Sequence, residues 1–583
     1  MLYCILMAPK KISFSNTDEK LPKMNILLIY PYFLENRIHD EEIAVVPQGL
    51  FYIGAVLKEH DYNVEILNWH NINKTPGKIK IILGEKKPDI IGFSILHANR
   101  WGGIEIARIA RQVDPNVKIV FGGIGATFLW KHFLTHFKEI DYVVIGEGEY
   151  SFLKLVGCLK KNDKEGIEII KGIAFRKNGK AIKTKHSELI NNLDKLPMPA
   201  KYFDFQHLSL TRGCPGKCTF CGSPDFWGTK VRFHSTDYFV KQIQRLYKKG
   251  ITFFYFSDDT FTISKKRVIE ICRKILQKKL KIVWVAISRV NYVNDEIIYW
   301  MKKAGCIQIS YGVESGCEKI RNSLNKKIST KQIKRAFSIT LKYGILARGY
   351  FIYGCQGESP ESIQETIDLI REIKPLSTIF YILDIFPGTT LYEKYKKKFN
   401  LTDDIWLKRV EDIIYFETDP NLSEKLILDF GKKLRTSYYK MLPEFVDKIS
   451  LVDNKELYPM HSDFLSRLAM TFDHGDYAGI ESIREKEKIA AKLYKRSLQY
   501  YPNFRAYLGL GISKQKSGKY KQSLKILSKG IKYFPNNLQL NLCIGISHMN
   551  LRQYKKALSY LLPFQESKEV FYYIENCYKA LDK

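Results

Sequence analysis

Short β-branched segments alternate with amphipathic helical patterns from Met24 to about residue 400, and this alternation limits the fold more than any other feature. The first series of predicted strands covers residues 25–30, 63–67, 89–94, 117–121 and 142–145. Strands separated by helices connect through crossovers, so this spacing predicts a doubly wound α/β domain over residues 24–190. Ligands of such domains bind beyond the carboxyl ends of the strands, where this sequence has glycine-rich turns.

Two prolines, Pro197 and Pro199, interrupt the pattern and predict a linker over residues 191–204. A second strand-helix series follows over residues 205–400. Its predicted strands cover residues 207–211, 251–257, 281–288, 307–313, 347–353 and 378–386. Six units are fewer than the eight of a closed TIM barrel, so we predict a partial (β/α)6 barrel of that type.

The remaining chain has a helical pattern, with a connecting region over residues 401–475 and an internal repeat over residues 476–583. Tyr507 and Gly511 recur as Asn541 and Gly545, and Leu527 recurs as Leu561, with a period of 34 residues. This period resembles the tetratricopeptide repeat, which implies an all-α C-terminal domain with a concave surface for a protein partner. An unrelated helical bundle is the alternative.

Composition excludes a chain that is disordered, collagen-like or mucin-like throughout. Hydrophobic residues make up 45% and charged residues 26% of the 583 residues, which is typical of a globular chain. The net charge of +32 is compatible with nucleic acid, an anionic surface or an acidic substrate, or with a lysine-rich background. No basic run is interleaved with aromatic residues, so we predict no specific nucleic-acid binding.

Targeting signals are absent from the sequence pattern. No segment approaches the roughly 18 consecutive apolar residues of a spanning helix, and residues 1–23 lack a secretory h-region, so we interpret them as an N-terminal extension. The eleven cysteines are odd in number and unevenly spaced, which does not indicate a disulfide framework. A reducing, cytoplasmic location is expected.

Three cysteines form the one tight group in the chain. Cys214, Cys218 and Cys221 directly follow the first strand of the second series. Soft thiolate ligands from one loop favour an iron-sulfur cluster or zinc. A structural zinc site needs a fourth ligand close by, and the next candidates, His234 and Cys272, lie well beyond the loop. Three ligands on a four-iron cluster leave one iron open.

The C-x3-C-x2-C loop, with an aromatic residue before its last cysteine, resembles that of the radical S-adenosylmethionine (SAM) enzymes. Five further segments resemble family motifs in the expected order, and each ends a predicted strand: 256–261, 288–290, 312–316, 351–358 and 386–392. The resemblance implies a [4Fe-4S] cluster that cleaves S-adenosylmethionine reductively to a 5′-deoxyadenosyl radical. An electron donor such as flavodoxin or ferredoxin is implied as a partner.

The same resemblance assigns roles to individual residues. Cys214, Cys218 and Cys221 would ligate the cluster, and Phe220 would lie against the cofactor. Polar contacts to S-adenosylmethionine would come from Arg289 and Glu314, and contacts to its adenine from Ile352 and Gly354.

Four residues are candidate catalytic groups, namely Asp258, Asp259, Glu314 and Cys355. For Glu314 the alternative is a local cap or ion pair, and the two aspartates could instead bind the N-terminus of the following helix. Cys355 precedes Gln356, where the family usually has proline, so its thiol would lie near the mouth of the active site. It could donate a hydrogen atom or proton there, or be a small buried hydrophobe.

The first domain resembles the Rossmann-like cobalamin-binding domain found in one subfamily of these enzymes. The residues that carry this resemblance, and are expected to contact cobalamin, are Pro47, Gly49, Ser94, Leu96, Gly122, Gly123, Gly146, Glu147 and Gly148. The Asp-x-His-x-x-Gly loop that supplies a cobalt ligand is missing, and Asn68 to Asn71 stand near its place. Cobalt would then lack a histidine ligand, or the domain would hold no cobalamin. His70 is a ligand candidate, with a surface or internally bonded histidine as the alternative.

Together these features predict a cobalamin-dependent radical SAM methyltransferase acting on an unactivated carbon of a small-molecule or peptide substrate. A radical oxidative cyclase or rearrangement enzyme of the same architecture is the nearest alternative. A basic adaptor with a vestigial radical domain is an alternative of a different class. A methylthiotransferase would need a second cluster on an N-terminal cysteine trio, and only Cys4 and Cys158 precede residue 200.

Overall fold

Two β-sheets built mainly of parallel strands form the framework of the chain, as the alternating sequence pattern predicts. The computed structural model describes residues 24–34, 45–409, 413–414 and 419–582. The predicted N-terminal extension, residues 1–23, lies outside the described residues.

The first sheet has seven strands. They are β1 Asn25–Tyr30, β2 Asn63–Asn68, β3 Ile90–Ser94, β4 Lys118–Gly122, β5 Tyr142–Val144, β6 Ile173–Lys177 and β7 Lys180–Lys183. The spatial order is β2-β1-β3-β4-β5-β6-β7, with β1 to β5 parallel and β6 and β7 forming an antiparallel edge. All residues of β3 are buried, which explains its unbroken apolar sequence.

Helices connect the strands of this first sheet. They are α1 Gln48–Glu59, α2 Gly77–Lys86, α3 Arg100–Val113, α4 Ile124–Phe128, α5 Trp130–His136, α6 Glu149–Lys161 and α7 Lys164–Ile169. The direction of strand addition reverses between β1 and β3, which opens a crevice at the carboxyl ends of the strands. The prediction of a doubly wound domain is confirmed.

The second sheet contains six parallel strands with two small ribbons beside it. The strands of this region are β8 His207–Leu208, β9 Thr211–Arg212, β10 Arg232–Phe233, β11 Phe253–Phe256, β12 Val283–Ser288, β13 Cys306–Glu314, β14 Leu346–Tyr353, β15 Ser377–Ile382, β16 Asp384–Ile385 and β17 Ile413–Ile414. The sheet order is β15-β14-β13-β12-β11-β8. Because β8 and β15 are unpaired with each other, the barrel is open, as the count of six units predicts.

The strand predicted over residues 207–211 is divided into two in the structure. β8 belongs to the six-stranded sheet, whereas β9 turns away and pairs antiparallel with β10. The cause is the Asp258 carboxylate, which accepts hydrogen bonds from the backbone amides of Leu210 and Thr211 at 3.2 and 2.7 Å. Since a side chain takes these amides, they are not available to the ladder of the sheet.

Helices also connect the strands of the second sheet. They are α8 Ser223–Trp227, α9 Thr236–Lys248, α10 Lys265–Gln277, α11 Asp295–Lys303, α12 Glu318–Ser323, α13 Thr330–Lys342, α14 Pro360–Ile373 and α15 Thr390–Phe399. The stretch predicted as a linker is packed rather than free, because Leu193 and Leu196 are buried and the Tyr238 hydroxyl donates to the Leu196 carbonyl at 3.2 Å.

The C-terminal region is helical, as predicted. Its helices are α16 Glu424–Asp447, α17 Tyr458–Asp473, α18 Lys486–Tyr500, α19 Phe504–Lys516, α20 Tyr520–Ile531, α21 Leu538–Asn550, α22 Tyr554–Leu561 and α23 Lys568–Leu581. Buried residues of α16 to α19 belong to the same apolar core as the second sheet. In the described ranges, no helix has the length and apolar character needed to span a bilayer.

The period of 34 residues corresponds to a repeated packing contact. A Cβ atom on Gly511 would lie 2.4 Å from Leu527, and one on Gly545 would lie 2.6 Å from Leu561. Glycine is therefore required at both positions for the helices to approach each other. The assignment to the tetratricopeptide family and a partner-binding role of these helices stay predictions.

Candidate active site

The three clustered cysteines lie together at the carboxyl edge of the second sheet. Cys218 is buried, and Cys214 and Cys221 are half-buried. Burial raises the pKa of the Cys221 thiol to about 12, and the nearby Asp259, Cys218 and Cys214 add to this rise. The three side chains are thus close enough to interact electrostatically.

The donor set itself is informative. Three free thiols on one loop can ligate an iron-sulfur cluster, and with a fourth ligand they could also hold zinc.

The two nearest histidine and cysteine candidates for a fourth zinc ligand are engaged elsewhere. Nε2 of His234 is 3.0 Å from the Tyr52 hydroxyl, and its Nδ1 is 3.2 Å from an Asp194 carboxylate oxygen. Cys272 is buried in α10, next to Cys306. Neither His234 nor Cys272 is therefore placed to complete a zinc site at this loop.

The cysteine loop is held by backbone contacts to two distant parts of the barrel. The amide of Thr219 donates to the Leu324 carbonyl at 3.0 Å, and the amide of Leu391 donates to the Thr219 carbonyl at 3.0 Å. The Asn325 side-chain amide donates to the Lys217 carbonyl at 2.6 Å. These contacts fix the loop without using a thiol.

Arg289 lies directly against this loop. Its Nη1 donates to Cys218 Sγ at 3.7 Å, and its Nη2 donates to the Lys326 carbonyl at 2.6 Å. A Cβ atom on Gly216 would lie 2.7 Å from Nη1, so the loop approaches the guanidinium closely because residue 216 is glycine. The structure thus places a buried cation beside the predicted cluster.

Glu314 ends β13 in a left-handed conformation, with a φ of 67°. The register between β13 and β14 shifts at this point. Its carboxylate forms an ion pair with Lys326, and the side chains are only 6% and 8% exposed. The alternative of an ion pair is therefore observed. Through Lys326, Glu314 and Arg289 belong to one buried polar network.

Phe220, Ile352 and Cys355 meet in a small apolar cluster that also contains Leu383. Cys355 is completely buried, and burial, with Glu358 and Glu314 nearby, raises the pKa of its thiol well above the usual value. The environment of Cys355 is that of a protonated, small hydrophobe. Cys355 was predicted to lie near the mouth of the active site, but it is enclosed beside Phe220 and Ile352, and its predicted catalytic role stays a hypothesis.

Gly354 follows β14 with a φ of 81°, in the region that favours glycine. The buried Glu358 carboxylate accepts hydrogen bonds from the amides of Gly354, at 2.5 Å, and Cys355, at 3.2 Å. Burial raises the pKa of Glu358 to about 7, although these two bonds oppose the rise. Glu358 thus shapes the turn that carries the predicted adenine contact.

The two aspartates after β11 have different environments. Asp258 is buried, and its carboxylate binds the amides of Leu210 and Thr211 and the Thr211 hydroxyl. It therefore positions the strand before the cysteine loop, which corrects the alternative that it binds the following helix N-terminus. Asp259 accepts a hydrogen bond from the Ser223 hydroxyl and lines a cavity.

That cavity, of about 330 Å³, lies between the two sheets. All nine residues expected to contact cobalamin line it: Pro47, Gly49, Ser94, Leu96, Gly122, Gly123, Gly146, Glu147 and Gly148. The opposite wall comes from the second sheet and includes Ser209, Thr211, Arg212, Gly213, Ser257 and Asp259. The strand leading to the cysteine loop is therefore also a wall of the predicted cobalamin site.

Glycines shape the first-sheet side of this cavity. A Cβ atom on Gly49 would have no atom of the described residues within 4 Å, so a side chain there would extend into open space. Gly123 has a φ of 94° and a ψ of −178°, a combination that essentially only glycine adopts. A Cβ atom there would lie 2.9 Å from the Ile95 carbonyl. The strand ends thus form a cradle that side chains would fill.

Sequence reasoning missed a buried ion-pair cluster in the cavity wall. Nη1 of Arg212 is 2.6 Å from a Glu147 oxygen, and its Nη2 binds Glu149. Nη1 of Arg232 is 2.8 Å from the other Glu147 oxygen. The Arg212 guanidinium also lies 5.4 Å from the Trp227 ring. The sequence did contain a signal for this cluster. Acidic residues follow one predicted strand, at Glu147 and Glu149, and a basic residue, Arg212, follows another.

His70 does not join the cavity. It is buried and packs edge-on against Phe33, with ring centroids 5.6 Å apart. It is therefore neither a surface residue nor, among the described residues, part of the cavity lining. The structure gives no support to His70 as a cobalt ligand.

Models of two known protein families match the sequence, one in each of the two sheet regions. A model of the radical SAM superfamily matches residues 208–370, and a model of the B12 binding domain matches residues 43–156. An uncharacterized methyltransferase of Pyrococcus horikoshii is 33% identical over 359 residues, which are 60% of this chain and 78% of that protein. An anaerobic magnesium-protoporphyrin IX monomethyl ester cyclase of Rubrivivax gelatinosus is 26% identical over 400 residues, covering 65% of this chain and 71% of that protein.

A solved structure has a similar fold. The radical S-adenosylmethionine methyltransferase TsrM from Kitasatospora setae, with cobalamin and a [4Fe-4S] cluster bound, gives a TM-score of 0.57 at 16% identity. The match covers 82% of this chain and 100% of that chain. At this identity the similarity concerns the fold alone.

The chain belongs to the radical SAM superfamily. Within it, the B12 binding domain makes this protein a cobalamin-dependent radical SAM enzyme, whose cofactors are a [4Fe-4S] cluster, S-adenosylmethionine and cobalamin. The prediction of these cofactors is confirmed. The residues present fit these groups, since one loop supplies three free thiols for a cluster and glycines line the crevice.

Proposed function

We propose that this enzyme is a methyltransferase that methylates an unactivated carbon. The observation that carries the proposal is the cavity between the two sheets, which is bounded by the glycine-rich strand ends and by the strand before the cysteine loop. A methyl donor and a radical source must both reach one substrate carbon. A shared wall between the two cofactor sites supports that arrangement.

Three sets of residues would hold the cofactors. Cys214, Cys218 and Cys221 would ligate the cluster. The polar network of Arg289 and Glu314 would take S-adenosylmethionine, with Phe220, Ile352 and Gly354 on its apolar side. The nine cavity residues of the first sheet would take cobalamin. When bound, the cluster and S-adenosylmethionine supply a carbon radical and cobalamin supplies a methyl group.

The protein's own contribution is to exclude water and to fix positions. Phe220, Ile352 and Leu383 place apolar surface beside the cysteine loop, which keeps water from a reactive centre. Arg289 has its guanidinium fixed between Cys218 and the Lys326 carbonyl, so its charge is already oriented before ligands arrive. The backbone contacts of the loop hold the thiols in place in the same way.

An oxidative cyclase is the second candidate. The cyclase of Rubrivivax gelatinosus, which matches 65% of this chain, favours it. Such a reaction would use the same cofactor sites but leave no transferred methyl group in the product. The name of the Pyrococcus horikoshii relative, at higher identity, favours methyl transfer.

Isotope labelling tests the proposal. Anaerobically reconstituted enzyme is supplied with S-adenosylmethionine carrying a deuterated methyl group, cobalamin, a reductant and a cell extract as the substrate source. We expect mass spectrometry to find a product that carries the labelled methyl group together with 5′-deoxyadenosine. Formation of 5′-deoxyadenosine with an unlabelled product would instead establish the cyclase or a rearrangement.

A matched pair of cysteine variants tests the cluster assignment. Cys214→Ala should lose the cluster absorbance and all 5′-deoxyadenosine formation. Cys158→Ala, at a half-buried free cysteine on α6 of the first sheet, should retain both. Full cluster content in the Cys214 variant would contradict the assignment.

A further inference from the structure

Two histidines on α5 face a carboxylate from the segment that follows α15. His132 and His136 are four residues apart, which places them on one face of the helix. One nitrogen of each ring and a carboxylate oxygen of Asp404 all lie within 4.8 Å of one another. Nε2 of His136 is 2.9 Å from the Asp404 oxygen. Over the described ranges no other set of three such ligand atoms is as compact.

His132 is the unusual member of this group. It is only 4% exposed, and within the described structure neither of its ring nitrogens has a hydrogen-bond partner. A buried polar group without a partner loses the interactions it had with water, which is unfavourable unless another group replaces them. The imidazole of His136 lies on the same face of the helix, and the carboxylate of Asp404 approaches from the segment after α15.

We propose that His132, His136 and Asp404 form a site for a divalent transition-metal ion of the zinc class. Two imidazoles and one carboxylate are a common ligand set for such ions, with water at the remaining position. An ion there would complete the coordination of the buried imidazole. The site is separate from the cavity between the sheets, whose lining includes none of the three residues.

The charged side chains near Asp404 are already paired with other groups. The neighbouring Asp403 is engaged elsewhere, since it binds the Tyr392 hydroxyl at 2.8 Å and Lys396 Nζ at 3.0 Å. On the other side, the Arg100 guanidinium donates to the carbonyls of His97 and Lys408. Asp404 is thus the charged ligand that would offset an added cation.

An ion at this site would fasten the segment after the barrel to the first sheet. The segment 403–407 carries Trp406, whose fully buried ring lies in the apolar core of the first sheet. The Trp406 indole nitrogen donates to the Tyr392 hydroxyl at 2.8 Å, which joins the segment to α15. The proposed ion would therefore add a further connection between the end of the barrel and the first sheet.

Metal titration of the cluster- and cobalamin-loaded holoenzyme tests the proposal, because loading occupies the cysteine loop. Zn²⁺ and Co²⁺ are each titrated by calorimetry, with Co²⁺ absorption reporting on the ligands. We expect one site per chain whose spectrum lacks thiolate bands. His136→Ala and Asp404→Asn, both exposed positions, should each weaken binding at least tenfold. His474→Ala, an exposed histidine beside Asp473, is the matched control and should bind as the wild type does.

Thermal denaturation provides a second readout. Saturating Zn²⁺ should raise the melting temperature of the wild type and of His474→Ala, and leave that of His136→Ala unchanged, because only a site in the folded state is stabilised by its ligand. Absence of a zinc site in the wild type would overturn the proposal. Equal affinity in the wild type and both site variants would overturn it as well, since the ion would then bind elsewhere.

Discussion

The buried ion pairs between the two sheets give the sharpest prediction about stability. Arg212 is 9% exposed, and its partners Glu147 and Glu149 have side chains that are 2% and 4% exposed. Burial alone disfavours the charged guanidinium, but Glu149 and Glu147 more than offset it, so the pKa of Arg212 is raised. We therefore consider Arg212→Met, which keeps the length of the side chain and removes its charge.

The expected loss follows from the partners that remain. Glu147 keeps Arg232, whose Nη1 lies 2.8 Å from it, so one carboxylate stays paired. Glu149 loses the guanidinium that it binds and becomes a buried carboxylate without that cationic partner. Removing one partner of a buried pair costs about 3–5 kcal/mol. The double variant Arg212→Met/Glu149→Gln removes the stranded charge and should recover at least half of that loss.

Equilibrium urea denaturation of anaerobically purified protein measures these differences. Lys171→Met is the control, because Lys171 pairs with Glu188 on the surface, where the two side chains are 54% and 84% exposed. Such an exposed pair contributes about 0–1 kcal/mol. A loss below about 1 kcal/mol for Arg212→Met, like that of an exposed pair, would refute the reasoning. So would a double variant that is no more stable than the single one.

Three further predictions concern the cavity and the cysteine loop. Gly49→Leu should fill the open space beside Gly49 and abolish cobalamin binding while the iron content stays normal. Gly84→Leu is the control, because Gly84 lies on α2 with equally open surroundings, and this variant should bind cobalamin normally. Equal cobalamin binding by both variants would contradict the cavity assignment. Gly123→Ala should lower the free energy of unfolding by about 1–3 kcal/mol because of its glycine-only backbone conformation, whereas Gly84→Ala should raise it by up to about 1 kcal/mol in urea denaturation. Burial raises the pKa of Asp258 from 3.8 to about 7. The folded state then holds a proton that the unfolded chain releases, so this contribution to stability is present below pH 3.8 and lost as the pH rises to about 7. Asp258→Asn should flatten this part of the pH profile of urea midpoints, and an unchanged slope would show that Asp258 is not the group responsible.

Local patterns determined much of the fold in advance. The predicted strand at residues 25–30 has the bounds of β1, because an apolar run ended by Pro31 leaves few alternatives. The open barrel followed from counting six strand-helix units. The glycines of the cavity were identified because the approach of a ligand to a strand end needs backbone without side chains, a requirement that is visible in the sequence.

Predictions were weaker where a residue's role depends on its environment. The sequence favoured no single role for Asp258, and the structure shows that its carboxylate binds the amides of Leu210 and Thr211, which also divides a strand predicted as continuous. Cys355 was expected near the active-site mouth, and its complete burial depends on packing from several elements. Burial of this kind is set by groups that no short window of sequence contains.

The amino-acid sequence by itself determined the two strand-helix series, the spacing of the three cysteines and the glycines at the strand ends, because each depends on residues that are neighbours in the chain. Only the tertiary structure decided which charges meet. Arg212 and Glu147 are 65 residues apart in sequence, and His136 and Asp404 are 268 apart. Electrostatic pairing and desolvation depend on distance in space, so these contacts, and the chemistry proposed from them, exist only once the chain has folded.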